Sequence, residues 1–107
     1  MSSLDPILRP RSIAVIGASR QANTIGWQIL DNLLRVGFTG PVYPVNPKAS
    51  AIHSIPAYAS ITEVPGAVDL AVIVVPSAYV AQVTRQCVDK GVKGLVVISA
   101  GFKEVGG

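Results

Sequence analysis

The strongest constraint on this chain is the passage from Ser12-Ile13-Ala14-Val15-Ile16 into Gly17-Ala18-Ser19-Arg20-Gln21, with a change of period at Thr24. An apolar run of strand length meets a glycine and a polar loop follows. From Thr24 the apolar residues recur at helical spacing: Ile25, Ile29 and Leu33 share one face, with Leu30 and Leu34 beside it. Strand, turn and helix in that order open an α/β unit. Glycine has no Cβ, so the backbone at Gly17 can come close to a ligand. The free N–H groups at the start of the helix favour an anion such as a pyrophosphate. The turn is longer than the G-x-G-x-x-G of dinucleotide enzymes.

The remaining chain repeats the alternation. Ser2 to Pro10 reads as a lead-in with one helical turn packed by Leu4, Ile7 and Leu8. Gly37 ends the first helix, and Gly40-Pro41 marks the turn into a second strand, Val42 to Asn46, where Pro44 signals an irregular or edge position. A loop from Pro47 to Ser54 precedes Ile55-Pro56-Ala57-Tyr58, read as a very short edge strand. Ser60 caps one helical turn through Val64, closed by Pro65-Gly66. Leu70 to Val75 is an unbroken, valine-rich run of the kind buried on both faces of a parallel sheet. Ser77 is then expected to cap a helix with Val80, Val83 and Cys87 inward, stopped at Gly91-Val92 by an αL turn. The last strand is Leu95 to Ile98.

These patterns predict an α/β fold, a Rossmann-like open parallel sheet with helices on both faces and strand order 3-2-1-4-5, counting Ile55–Tyr58 as strand three. At 107 residues the chain makes one domain, small for a complete metabolic enzyme. Half of it is hydrophobic and 14% charged, which suits a sheet covered on both sides. Nine Lys and Arg are scattered, with no basic stripe, so nucleic acid is not the expected partner. No apolar run reaches the roughly 18 residues that span a bilayer, and Met1 to Arg11 lacks the core of a signal peptide. One cysteine makes no internal disulfide, and the expected setting is cytoplasmic. A single His and a single Cys make no structural zinc site, so no metal is expected.

Ligands of open α/β sheets sit beyond the carboxyl ends of the strands. Four small, polar or Gly/Pro-rich clusters fall there: Gly17 to Thr24, Asn46-Pro47-Lys48, Pro76-Ser77-Ala78 and Ser99-Ala100-Gly101. NAD enzymes place an acid after the second strand for the ribose hydroxyls, whereas Asn46-Pro47-Lys48 has none. Lys48 suits a phosphate, either that of NADP or the 3′-phosphate of coenzyme A. The phosphate-loop signature G-x-x-x-x-G-K-[ST] is absent. His53 reads as a loop residue with no acid near it in sequence, Cys87 as a core residue, Asp69 as a backbone cap and Trp27 as packing. No carboxylate pair or Ser/His/Asp set is evident, and no residue is assigned a catalytic role.

Leu8-Arg9-Pro10-Arg11-Ser12-Ile13-Ala14-Val15-Ile16-Gly17-Ala18-Ser19 resembles the opening of the ADP-forming acyl-CoA synthetases. So do Tyr43-Pro44-Val45-Asn46-Pro47-Lys48, Val68-Asp69-Leu70-Ala71-Val72-Ile73 and Ile98-Ser99-Ala100-Gly101-Phe102. The chain is similar to their N-terminal CoA-binding domain and, more distantly, to the α-subunit of succinyl-CoA synthetase. The resemblance implies a CoA cradle. Gly17, Ser19, Arg20 and Gln21 would contact the phosphates and adenosine, and Asn46, Pro47 and Lys48 would form the post-strand-two motif with Lys48 on phosphate. Val75, Pro76 and Ser77, with Ile98, Ser99 and Ala100, would flank the adenosine and pantetheine portions. Compared with the succinyl-CoA α-subunit, the glycine turn is longer, the lysine sits one place earlier, and Ala100 replaces the glutamate of Thr-Glu-Gly. The family reaction converts acyl-CoA, phosphate and ADP into acid, CoA and ATP through a phosphohistidine on another domain. The resemblance therefore implies a CoA-binding module of a larger acid–thiol ligase, inactive alone and completed by further domains or subunits. It also implies that the sheet continues by one helix and one strand, leaving an edge for a partner or a second copy (a homo-oligomer). Alternatives are an NADP-binding oxidoreductase fragment and a stand-alone CoA-binding module or one fused to a protein acetyltransferase.

Overall fold

The computed structural model describes residues 5–98. In chain order these form α1 (Asp5–Leu8), β1 (Ile13–Ile16), α2 (Ile25–Arg35), β2 (Val42–Val45), β3 (Ala51–Ile52), β4 (Ile55–Pro56), a 3-10 turn (Ile61–Glu63), β5 (Leu70–Ile73), α3 (Ser77–Lys90) and β6 (Gly94–Val97). The main sheet is parallel, ordered β2-β1-β5-β6. Ile13 stands beside both Val42 and Leu70, and Leu70 beside Gly94.

The two central strands are buried at every position, as their continuous apolar sequence requires. Their side chains alternate between two cores. Ala14, Ile16, Ala71 and Ile73 pack with Val45, Ile61, Val64 and Cys87 beneath α3 and the 3-10 turn. Ile13, Val15, Leu70 and Val72 pack with Leu30 and Ile52 beneath α2 and the β3–β4 hairpin. Helices thus cover both faces of a Rossmann-like sheet. Because β2 lies to one side of β1 and β5 to the other, the chain reverses direction across the sheet between β1 and β5. That is the switch point where such folds open a crevice.

The helix stops are the glycines expected from the sequence. Gly37 (φ 77°) donates to Leu34 O, and Gly91 (φ 88°) donates to Cys87 O and Val88 O. At the opposite end of the strands, Asp69 accepts from Arg11 N (2.9 Å), and Ser12 Oγ donates to Ala67 O while accepting from Asp69 N. These bonds tie the entries of β1 and β5 together.

Three readings need correction. Ile55–Tyr58 is not a third strand of the main sheet. Ile55 and Pro56 fold back antiparallel onto Ala51 and Ile52, and only Tyr58 makes a parallel bridge to Val45. Pro56 has no N–H to donate to a neighbouring ladder, so the run cannot pair throughout with β2. Nor does Ser77 cap α3: it is the first helical residue, and Pro76, with φ −55° and ψ 147°, stands at the cap without a side-chain bond. In the lead-in helix Ile7 and Leu8 are 40% and 67% exposed, so they do not supply the expected packing, and Leu4 lies outside the described residues.

Candidate functional site

Gly17 leaves β1 at the switch point, where its N–H bonds Val45 O (3.0 Å) and the following N–H across the crevice, Val74 N, bonds Ile16 O (2.7 Å). The loop beyond it is held by its own polar side chains. Ser19 Oγ accepts from Gln21 N, and Thr24 Oγ1 donates to Gln21 O (2.7 Å) while accepting from Trp27 N (3.3 Å). Thr24 is therefore the N-cap of α2, and one of the N–H groups expected to face an anion is already used. Arg20 and Gln21 point out to solvent.

Asn46 joins this loop to the next. Its Nδ2 donates to Ala18 O (2.8 Å) and its Oδ1 accepts from Lys48 N (2.7 Å). The side chain that stands where a dinucleotide enzyme carries an acid is thus a bridge between the glycine turn and the lysine loop. Lys48 itself is exposed.

A cleft of about 340 Å³ opens beside these loops, between the carboxyl ends of β1 and β2, the 3-10 turn and α3. Gly17, Pro47, Val75 and Pro76 line it, so residues from three of the four sequence clusters meet there. Its floor is apolar (Ile16, Val45, Ile61), and its rim carries Ser60, Tyr79, Gln82 and Gln86. Ser19, Arg20, Gln21, Asn46, Lys48 and Ser77 are not among the lining residues. Ile98 packs on the other face, against the α2-side core, with its N–H on Ile73 O (2.8 Å). Ser99 and Ala100 lie outside the described residues.

The rim residues of α3 were not anticipated. Tyr79, Gln82 and Gln86 recur at positions i, i+3 and i+7, a stripe beside the inward Val83 and Cys87. Their spacing is visible in the sequence. Which way the stripe faces depends on how α3 lies across the sheet.

Among the described residues no acid, base or thiol lines the cleft. Cys87 is wholly buried, and burial pushes its thiol up to about 11 from 9.0. Because the folded value lies above the unfolded one, this thiol favours folding below pH 9.0, and that contribution is lost as the pH rises through about 11. The stability difference between the native chain and Cys87→Ala should therefore shrink between about pH 8 and about pH 10.5 in urea unfolding. A constant difference would show that the thiol is not desolvated. Among the described residues no three His, Cys, Asp or Glu are grouped to hold a metal, and no helix is long and apolar enough to cross a membrane.

Residues 11–105 match a family model described as a CoA binding domain. The chain is 46% identical over 103 residues to ADP-forming acetate–CoA ligase II of Archaeoglobus fulgidus, covering 96% of this chain and 15% of that one. It is 48% identical over 103 residues to the alpha subunit of ADP-forming acetate–CoA ligase II of Pyrococcus furiosus, covering 96% and 22%. A solved structure titled dinucleotide forming acetyl-coenzyme A synthetase 1 of Ca. Korarchaeum cryptofilum, in its apo form, superposes with a TM-score of 0.89 at 50% identity, covering 96% of this chain and 22% of that one. The chain spans about a fifth or less of the length of these curated relatives.

Proposed function

The chain belongs to the CoA-binding domain family, and from that membership we propose that it binds coenzyme A at the switch-point cleft. We further propose that it serves as the CoA-binding module of an ADP-forming acyl-CoA synthetase. One observation carries the reading. The glycine turn, the Asn46–Lys48 loop and Val75-Pro76 converge on a cleft that has an apolar floor, an amide and hydroxyl rim and, among the described residues, no acid–base group. Such a surface suits a ligand with an apolar or aromatic body and anionic groups at its edge. The exposed cations Arg20 and Lys48 follow the two loops where phosphate would lie.

In this reading Lys48 meets a phosphate and Ser19, Arg20 and Gln21 flank the pyrophosphate. Val75, Pro76 and Ser77 border the adenosine and pantetheine portions. Acyl transfer and phosphoryl transfer belong to further domains or subunits, and the outer edge of β6 is one surface they or a second copy would cover. The chain alone binds but does not turn over.

Calorimetry tests the ligand. CoA should bind with NADPH and NADH much weaker, and a nicotinamide nucleotide binding more tightly than CoA would overturn the reading. Lys48→Ala should weaken CoA about tenfold, the lower end for a charge-assisted contact because the lysine is exposed. It should affect 3′-dephospho-CoA less if the lysine faces the 3′-phosphate. Equal losses would move Lys48 to the pyrophosphate, and no loss would remove it from the site.

A further inference from the structure

On the face of the sheet opposite the cleft, the structure brings together the chain's one histidine and its one tryptophan. His53 and Ser54 are the two central residues of the β3–β4 turn, and both have positive φ (54° and 62°). This is the type I′ pattern normally built from Asn and Gly. Residues with a Cβ are strained there and persist only where their surroundings hold them.

α2 does the holding. The imidazole lies 4.8 Å from the Trp27 ring, tilted 34°, and its Nε2 is 3.7 Å from Asp31 Oδ1. Nε2 is shut off from solvent and has no hydrogen-bond partner. Trp27, Asp31 and Arg35 form one stripe of α2, and Arg35 Nε takes the other oxygen of Asp31, leaving Oδ1 for the histidine. Asp31 and Arg35 are the charged groups that α2 turns toward His53, and the hairpin residues 51–56 carry none of their own. No acid lies near His53 in sequence, and the fold supplies one from α2.

The hairpin also closes the loop that carries Lys48. Ala57 N bonds Ser50 O (2.9 Å) at the hairpin's base, while Asn46 pins the loop's other end to Ala18. We propose that His53 is a positioning residue whose protonation clasps the hairpin onto Trp27 and Asp31, and so steadies the 46–50 loop for the CoA phosphate. The last step rests on the CoA reading above. A protonated imidazole carries N–H on both nitrogens, which gives Nε2 a donor for Asp31 and places a cation against the indole. The clasp is present at low pH and is lost as the pH rises and the imidazolium gives up its proton.

The lone tryptophan reports the state of its neighbour, because an imidazolium quenches indole emission more strongly than neutral imidazole does. Emission from the ligand-free chain should fall on acidification. His53→Asn, which tolerates positive φ but does not titrate, should give a flat trace. At the acid end, protection of the Ala57 amide and affinity for CoA, each relative to His53→Asn at the same pH, should rise about two- to fivefold, the span for a partly exposed ion pair. Dividing by the variant cancels the titration of the ligand's own phosphate. A flat native trace would overturn the clasp, and a titrating trace with constant Ala57 protection would overturn its positioning role. If emission and protection respond as expected while CoA fails to bind at any pH, the clasp stands and the CoA reading falls.

Discussion

Gly17→Val should unfold much of the chain at moderate urea, and do so whether or not a ligand is present. A Cβ built at Gly17 would lie 1.8 Å from Val74 O and 2.7 Å from its carbonyl carbon, both backbone atoms of the segment after β5. That segment cannot swing aside, because Val74 N is bonded to Ile16 O and Gly17 N to Val45 O. The residue also sits at φ 97°, where a β-branched side chain is strained. Strain of about 1–3 kcal/mol and overpacking of about 1–3 kcal/mol give a loss of several kcal/mol. Domains of this kind have only about 5–15 kcal/mol in total. Urea unfolding followed by Trp27 emission at fixed pH measures the loss. An unchanged midpoint with abolished CoA binding would show instead that the glycine serves only the approach of the ligand. Gly26 reinforces the point from the other side, since a Cβ there would lie 2.1 Å from Gly17 O. The start of α2 and the end of β1 are in backbone contact, and two glycines make that possible.

Asn46→Leu should cost both stability and binding, whereas Lys48→Ala should cost binding alone. Leucine matches asparagine in shape but leaves Ala18 O without its donor and Lys48 N without its acceptor, a loss of about 2–3 kcal/mol for two bonds. The glycine turn and the lysine loop would then no longer be held in register, so CoA should weaken beyond the effect of removing Lys48. Unfolding and calorimetry on the two variants, run side by side, separate the cases. If Asn46→Leu matches the native midpoint, the bridge does not hold the loops together. Asn46→Asp is a sharper control, because its carboxylate still accepts from Lys48 N but cannot donate to Ala18 O.

Much of this architecture is legible in the chain because the signals are local. Ile13–Ile16 and Leu70–Ile73 declare themselves as buried strands by unbroken apolar composition. Gly37 and Gly91 stop helices because glycine adopts positive φ at no steric cost. The helix after Gly17 follows from its periodicity. From four clusters after four strands, the rule that ligands sit at the carboxyl ends of an open sheet already points to one edge of the molecule.

What needed the tertiary structure is every feature that depends on which distant segment arrives as a neighbour. Ile55–Tyr58 has strand composition whether it pairs with β2 or folds back on Ala51-Ile52, and the outcome turns on Pro56 and the His53-Ser54 turn. His53 reads as an unpartnered loop residue because Asp31 and Trp27 belong to a helix on the far side of β2 in sequence. The two bonds that Asn46 makes to Ala18 and Lys48, and Val74 O standing where a Cβ of Gly17 would be, join segments far apart in the chain and are seen only in the structure. Tyr79, Gln82 and Gln86 share a helical stripe that periodicity reveals, but only the lie of α3 over the sheet turns that stripe toward the cleft. The sequence by itself determined the elements, their alternation and the edge that carries the loops, because those follow from backbone preference and from burial within a few residues. Contacts between loops were decided by the packed sheet, which alone sets the distances between residues far apart in the chain.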